Sequence, residues 1–242
     1  MKILLTNDDG YDAVNIKKFF KYLSKEHDVW MVAPKNNCSG MSSAISFLKE
    51  TKIEKISDRI YAVDGTPADC VYFGMLSIIE DGVDMVVSGI NHGANIGTDV
   101  IYSGTVGAAA GGRGLKYPPL AISAETYEVK DLDYICRKSC EFVNKFSKYK
   151  NKFLGNLVNI NFPDLIESDV NGVRATSLAQ RGVPQKPIVN GDYYRYNFSG
   201  IPMKSSDSLT DAQALSDGYI SVSLLDYSFG ATNNIDQIKD II

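Results

Sequence analysis

A mostly parallel α/β sheet of the Rossmann-like kind, flanked by helices and carrying a C-terminal β-rich extension or arm, is the fold class this sequence predicts. Three observations carry that expectation. The opening run Lys2-Ile-Leu-Leu-Thr6 is a short apolar segment of buried-strand type that stops abruptly at Asn7-Asp8-Asp9-Gly10. Ile16, Phe19, Phe20 and Leu23 then form a stripe with helical spacing, and Asp28-Val-Trp-Met-Val-Ala33 is a second compact apolar run ending at Pro34. Strand, helix and strand in that order make the βαβ unit from which parallel sheets are built.

The remaining elements follow in order. Ser46 to Leu48, Lys52 to Ile56 and Arg59 to Val63 are short β-rich runs between turn residues, which predicts a small extended excursion. Asp64-Gly-Thr-Pro67 opens a helix through Ile79, with proline in the first turn, where its missing N–H costs little. Asp84 to Gly89 is a third buried strand, and Ser103-Gly104-Thr105 leads into a helix rich in alanine and glycine. A strand at Ala121 to Ser123, an amphipathic helix from Leu132 to Tyr149 and a strand at Leu157 to Asn161 complete the expected sheet. From Thr176 to Asn197 polar β segments alternate with Gly182, Pro184 and Pro187 and end in Tyr193-Tyr-Arg-Tyr196, a composition that suits an arm leaving the core. A helix at Asp207 to Leu215, a strand at Tyr219 to Leu224 and a short closing helix from Asn233 to Ile242 finish the chain, which reads as one domain over 1–242.

Bulk properties narrow the function. The chain has 242 residues, 44% hydrophobic and 22% charged, with a formal net charge of -4 and scattered basic residues, so it offers no footprint for a nucleic-acid polymer. The first apolar run breaks after Leu5, and no later segment approaches the ~18 apolar residues of a membrane span. A cytoplasmic location is the expectation. Cys38, Cys70, Cys136 and Cys140 form no CxxC pair and read as reduced packing residues. The two histidines, His27 and His92, complete no recognisable hydrolase triad.

What remains is the acidic turn. The crevice of an open α/β sheet lies beyond the carboxyl ends of its strands, which is where the first strand delivers Asn7, Asp8 and Asp9. Consecutive strand residues point to opposite faces, so both acids converge only if the chain has already turned, as Gly10 permits. Two carboxylates so close repel, and a hard divalent cation such as Mg2+ or Mn2+ relieves the repulsion. A solvated turn is the competing reading. The second candidate is the loop Ile90 to Ala110, rich in small polar residues. The helix start at Ser103-Gly104-Thr105 presents backbone N–H groups and two hydroxyls, which fits phosphate, although an ordinary N-capped helix accounts for the same residues. Neither a Walker A loop nor a dinucleotide fingerprint is present.

Taken together, Ile3 to Gly10, Val32-Ala-Pro34 with Ser39-Gly40, Gly65 to Val71, Val87 to Asn91 through Ser103-Gly-Thr105, and Thr210-Asp211 with Gly218 to Val222 resemble the SurE family, the survival-protein-E 5'/3'-nucleotidases. The resemblance covers most of the chain and implies a metal-dependent phosphomonoesterase acting on nucleoside 5'- and 3'-monophosphates. It implies one divalent ion per subunit, Mg2+ or Mn2+, on Asp8, Asp9, Ser39 and Asn91. It further implies phosphate contacts from Asn95, Ser103, Gly104 and Thr105, with Asp8, Asp9 and Asn95 in the catalytic step. The sequence departs from the family at Cys38, where members often carry a basic residue. Family members pair through C-terminal extensions, so a homodimer or homotetramer is implied, with 176–197 as the exchanged arm.

Two other classes compete. A signalling receiver domain also follows its first strand with paired acids, but Val86-Val-Ser-Gly-Ile-Asn91 puts asparagine where the phosphoacceptor aspartate belongs. A metal-dependent nucleotide-binding module without turnover is separated from an enzyme only by a rate.

Overall fold

Strand β1 (Lys2–Thr6) alternates its buried residues between two cores, and that alternation organises the molecule. Ile3 and Leu5 join Ile16, Phe19 and Leu23 of helix α1 (Val14–Leu23) on one face, whereas Leu4 points to the other. The computed structural model describes residues 1–182, 185–197 and 209–227. The closing helix expected at Asn233 to Ile242 and the start of the helix expected at Asp207 lie outside them.

Beyond α1 the chain forms β2 (Asp28–Pro34), β3 (Ile53–Ser57), β4 (Ile60–Val63), α2 (Pro67–Phe73) with a π-helical turn at Gly74–Ile78, and β5 (Met85–His92). A 3-10 turn at Gly97–Tyr102 leads into α3 (Gly104–Gly111). There follow β6 (Leu120–Ala124), α4 (Leu132–Phe146), β7 (Asn156–Phe162), β8 (Val173–Ala175), β9 (Ile188–Asn190), β10 (Tyr193–Arg195), α5 (Asp211–Ser216) and β11 (Ile220–Asp226).

The main sheet has nine strands in the order β3-β4-β2-β1-β5-β6-β7-β11-β8. From β4 to β7 every neighbour is parallel; β3 runs antiparallel at one end and β11 antiparallel to β7 at the other. Helices α1 and α4 cover one face, where Tyr134, Ile135, Cys136, Phe142 and Val143 share the cluster built on Ile3 and Leu5. Val71 of α2 and Ala108 of α3 meet Leu4 and Val86 on the other face. The mostly parallel, helix-flanked α/β sheet read from the sequence is therefore the observed fold. No helix among the described residues is long and apolar enough to cross a membrane.

Several local expectations are corrected. Ser46 to Leu48 is a turn, because the Ser46 backbone N–H and hydroxyl donate to the Asp69 carboxylate at 2.9 and 2.7 Å. That carboxylate also closes the capping box of α2, accepting from the Thr66 N–H at 2.9 Å. The expected helix to Tyr149 stops at Phe146. Strand β7 does not complete the sheet, since β11 and β8 extend it. Among the described residues of 176–197, only β9 and β10 form a hairpin. The Thr176 N–H donates to Val222 O at 3.0 Å and Ala179 is 1% exposed, so the root of this segment belongs to the body. All four cysteines are unbridged, and burial pushes the thiols of Cys136 and Cys140 up to about 12 and about 11.

Candidate functional site

The strand order reverses at β1: β2 lies on one side of it and β5, reached after β3 and β4, on the other. That switch point opens a crevice at the carboxyl ends of β1 and β5. The two strands deliver Asp8 and Asp9 from one side and Asn91 and His92 from the other.

The turn after β1 is closed by Asn7 and leaves the acids out of its hydrogen bonding. The Asn7 Nδ2 donates to Gly10 O at 2.9 Å and the Gly10 N–H donates to Asn7 Oδ1 at 3.2 Å, with Gly10 at φ +111°. Asp8 is only 3% exposed, so the solvated-turn reading fails for it. Its carboxylate lies against the N-terminus of α3. The Thr105 hydroxyl donates to Asp8 Oδ1 at 2.6 Å, and a Cβ on Gly104 would lie 2.8 Å from Asp8 Oδ2, so only glycine lets the helix approach this closely. Asp9 accepts the His92 backbone N–H at 3.2 Å.

Both carboxyls titrate above their ordinary range. Burial raises Asp8, opposed by the hydroxyl and backbone N–H of Thr105. Burial and then the neighbouring Asp8 charge raise Asp9 to about 6. The two charges repel, and a bound cation would relieve that repulsion. Among the described residues no three His, Cys, Asp or Glu side chains gather, so the donors to hand are two carboxylates with hydroxyl and amide oxygens. Oxygen donors of that kind suit Mg2+ or Mn2+.

Of the other expected ligands, Asn91 uses its Nδ2 on Gly93 O at 2.8 Å, leaving its amide oxygen for a cation. Ser39 is exposed on the loop after β2, its N–H held by Asn37 Oδ1 at 3.0 Å. The same loop is tied to the acidic turn by the Cys38 N–H, which donates to Asp8 O at 2.7 Å. Burial, followed by the Asp8 charge, pushes the Cys38 thiol up, so this position presents a neutral group.

The phosphate candidates divide. Ser103 is the N-cap of α3, its hydroxyl oxygen accepting from the Val106 N–H at 3.1 Å, and its own proton stays available to a ligand. The Thr105 hydroxyl proton is committed to Asp8, which makes Thr105 a positioner of the acid. Asn95 sits in a polar cradle: its N–H donates to Asn161 Oδ1 at 2.7 Å and its Nδ2 to Ser123 Oγ at 2.8 Å. Its carbonyl accepts from Asn159 and Asn161 at 2.8 and 3.0 Å.

Sequence reasoning missed Ser123, Asn159 and Asn161, although two asparagines at alternate positions of a buried strand were a legible signal. It also gave Asp211 no role. That residue is 0% exposed and accepts the N–H groups of Gly97 at 2.8 Å and Ala179 at 2.9 Å, latching the loop before α3 to α5.

The raised carboxyls make a testable statement about the metal-free protein. Between 3.8 and about 6 the folded chain holds a proton at Asp9 that the unfolded chain has lost, so folding stability falls as pH rises through that interval. Metal-stripped protein is expected to melt at a higher temperature at pH 4.5 than at pH 7.5 by more than its Asp9→Asn variant does, and added Mg2+ or Mn2+ at pH 7.5 recovers the difference. Parallel melting curves for the two proteins across that range would contradict this account.

A sequence model of the family described as "Survival protein SurE" matches residues 3–185. The chain is 40% identical over 232 residues to the 5'-nucleotidase SurE of Marinomonas sp. (strain MWYL1), covering 92% of this chain and 90% of that protein. It is 35% identical over 241 residues to the 5'-nucleotidase SurE of Vesicomyosocius okutanii, covering 99% and 96%. The crystal structure of the SurE protein from Aquifex aeolicus superposes with a TM-score of 0.87 at 31% identity, covering 100% of this chain and 99% of the other.

Proposed function

The chain belongs to the SurE family and is a 5'-nucleotidase, and from that premise we propose that it is a divalent-metal-dependent phosphomonoesterase releasing phosphate from nucleoside 5'- and 3'-monophosphates. The observation that carries this reading is the convergence of a buried and a half-buried carboxylate, mutually repelling, and a helix N-terminus at the β1/β5 switch point.

In this reading Asp8, Asp9, Ser39 and Asn91 hold one Mg2+ or Mn2+, and the substrate phosphate lies against Asn95, Ser103 and the Gly104 backbone. Such an ion, when bound, neutralises phosphoryl charge and eases ionisation of water. The chain's own part is positional and electrostatic, as in other phosphoryl-transfer sites. Thr105 orients Asp8 through its hydroxyl, which donates to Oδ1. Water oxygen bonds to phosphorus as the ester P–O bond breaks, and the nucleoside leaves as its alcohol, the ester oxygen taking up a proton from solvent. Asp9, the more exposed of the two acids, accepts the water's proton. Asn95, held on three sides by Ser123, Asn159 and Asn161, meets the developing phosphoryl charge without reorganising.

The test is phosphate release from a panel of nucleoside 5'- and 3'-monophosphates with Mg2+, Mn2+ or EDTA. Release from none of them, with nucleotide still bound, would leave a binding module.

The same reading makes the protein a cytoplasmic homodimer or homotetramer. The β9–β10 hairpin supports it: Tyr193, Tyr194 and Tyr196 are 82%, 73% and 88% exposed, a run of aromatics suited to a protein contact. Deleting 188–195 and bridging the ends is expected to lower the mass measured by light scattering, and an unchanged mass would remove the hairpin from the interface.

A further inference from the structure

The rim of the crevice carries an aromatic pair that the phosphate chemistry does not use. Tyr127 lies in the loop from β6 to α4, at the carboxyl end of the sheet, and is 71% exposed. Its ring centroid is 5.6 Å from that of His92, with the planes tilted by 53°. His92 is the residue after Asn91 and the one whose backbone N–H reaches Asp9.

The loop that carries Tyr127 is braced. The Gly93 N–H donates to Ala124 O at 2.9 Å, which pins the ends of β5 and β6 side by side. The Glu125 N–H donates to Phe162 O at 3.0 Å, and Thr126 Oγ1 to Glu128 O at 3.2 Å. A large ring is thus held in solvent on an ordered loop, one histidine away from the acid pair. Exposing an aromatic surface forgoes the gain of burying it, whereas holding it in place lowers the ordering cost of binding a flat partner.

A nucleoside monophosphate separates its phosphate from its base by one sugar. It therefore needs a π-surface beside the acids but outside their charge. Resting on the nucleotidase reading above, we propose that Tyr127, backed by His92, is the surface on which the nucleobase stacks, and so a specificity-determining residue of this enzyme. Stacking requires the ring and not the hydroxyl, and it tolerates every base while favouring the larger purine face.

The experiment compares wild type, Tyr127→Ala and Tyr127→Phe on AMP, UMP and ribose 5-phosphate, together with equilibrium dialysis of adenosine. In Tyr127→Ala the KM for AMP is expected to rise roughly tenfold with kcat held, the KM for UMP to rise less, and that for the base-free ribose 5-phosphate not to follow. Tyr127→Phe restores the AMP value. An unchanged KM for AMP, or equal shifts for AMP and ribose 5-phosphate, would overturn the proposal while leaving the nucleotidase reading intact. Should no nucleotide be hydrolysed, that reading falls, and dialysis decides the stacking surface alone. Weaker adenosine retention by Tyr127→Ala then supports it, and equal retention overturns it.

Discussion

Asp8→Asn is expected to lower metal-dependent phosphate release from AMP by on the order of 10³-fold while leaving the chain folded. The size of the loss follows from what the carboxylate touches. Asp8 is buried, it holds the Thr105 hydroxyl at 2.6 Å, and α3 approaches so closely at Gly104 that the side chain has little room to relocate. An amide of the same shape still accepts from Thr105 through its oxygen, so the local packing survives. What disappears is a charge that the proposed cation site needs. Because burial already opposes that charge, metal-free Asp8→Asn is expected to be at least as stable as wild type. Asp9→Asn removes both a charge and the proposed proton acceptor and is expected to lose activity comparably. AMP hydrolysis by Asp8→Asn within about tenfold of wild type, at equal metal loading, would separate Asp8 from the chemistry.

The parts of the molecule legible in the sequence are those set by neighbours along the chain. β1 ends where its apolar run ends, α1 follows a stripe of period 3.6, and Asp64-Gly-Thr-Pro67 leads into α2. The fold class follows from those local rules because a βαβ unit admits few topologies. Ser46 to Leu48 has strand composition but no ladder to join, since Asp69, 23 residues away, takes its polar groups. Such context overrides β propensity. The site divides in the same way. Asp8 and Asp9 stand out because two acids interrupt an apolar run. The Thr105 hydroxyl, 97 residues from Asp8, reads from sequence as a phosphate donor, and only the folded chain turns it toward the acid. Ser123, Asn159 and Asn161 act on Asn95 across strands, a relation that no spacing in the sequence encodes.

Asp211 is the longest of these connections, and removing it is expected to have the largest effect on stability. Its Oδ2 accepts the Gly97 N–H at 2.8 Å across 114 residues, and its Oδ1 accepts from Ala179 at 2.9 Å and Ala212 at 2.8 Å. The side chain is fully buried, so water does not replace these bonds when it is cut away. Asp211→Ala leaves three backbone donors without their acceptor and is expected to cost roughly 3–5 kcal/mol, read as a fall in the urea midpoint at unchanged slope. Thr210→Ala removes only the α5 cap, whose hydroxyl accepts from Gln213 at 3.3 Å, and is expected to cost about 1 kcal/mol. The comparison separates loss of a helix start from loss of the latch, and equal costs would dismiss the latch. Function follows the same connection. Gly97 begins the turn that ends at Tyr102, immediately before Ser103, and Asn95 lies two residues before it. Asp211→Asn keeps one acceptor oxygen but turns an N–H2 group toward a backbone donor. Assayed well below its melting temperature, it is expected to lose activity on AMP more steeply than stability, because the loop that aligns Asn95 and Ser103 is released before the sheet unfolds.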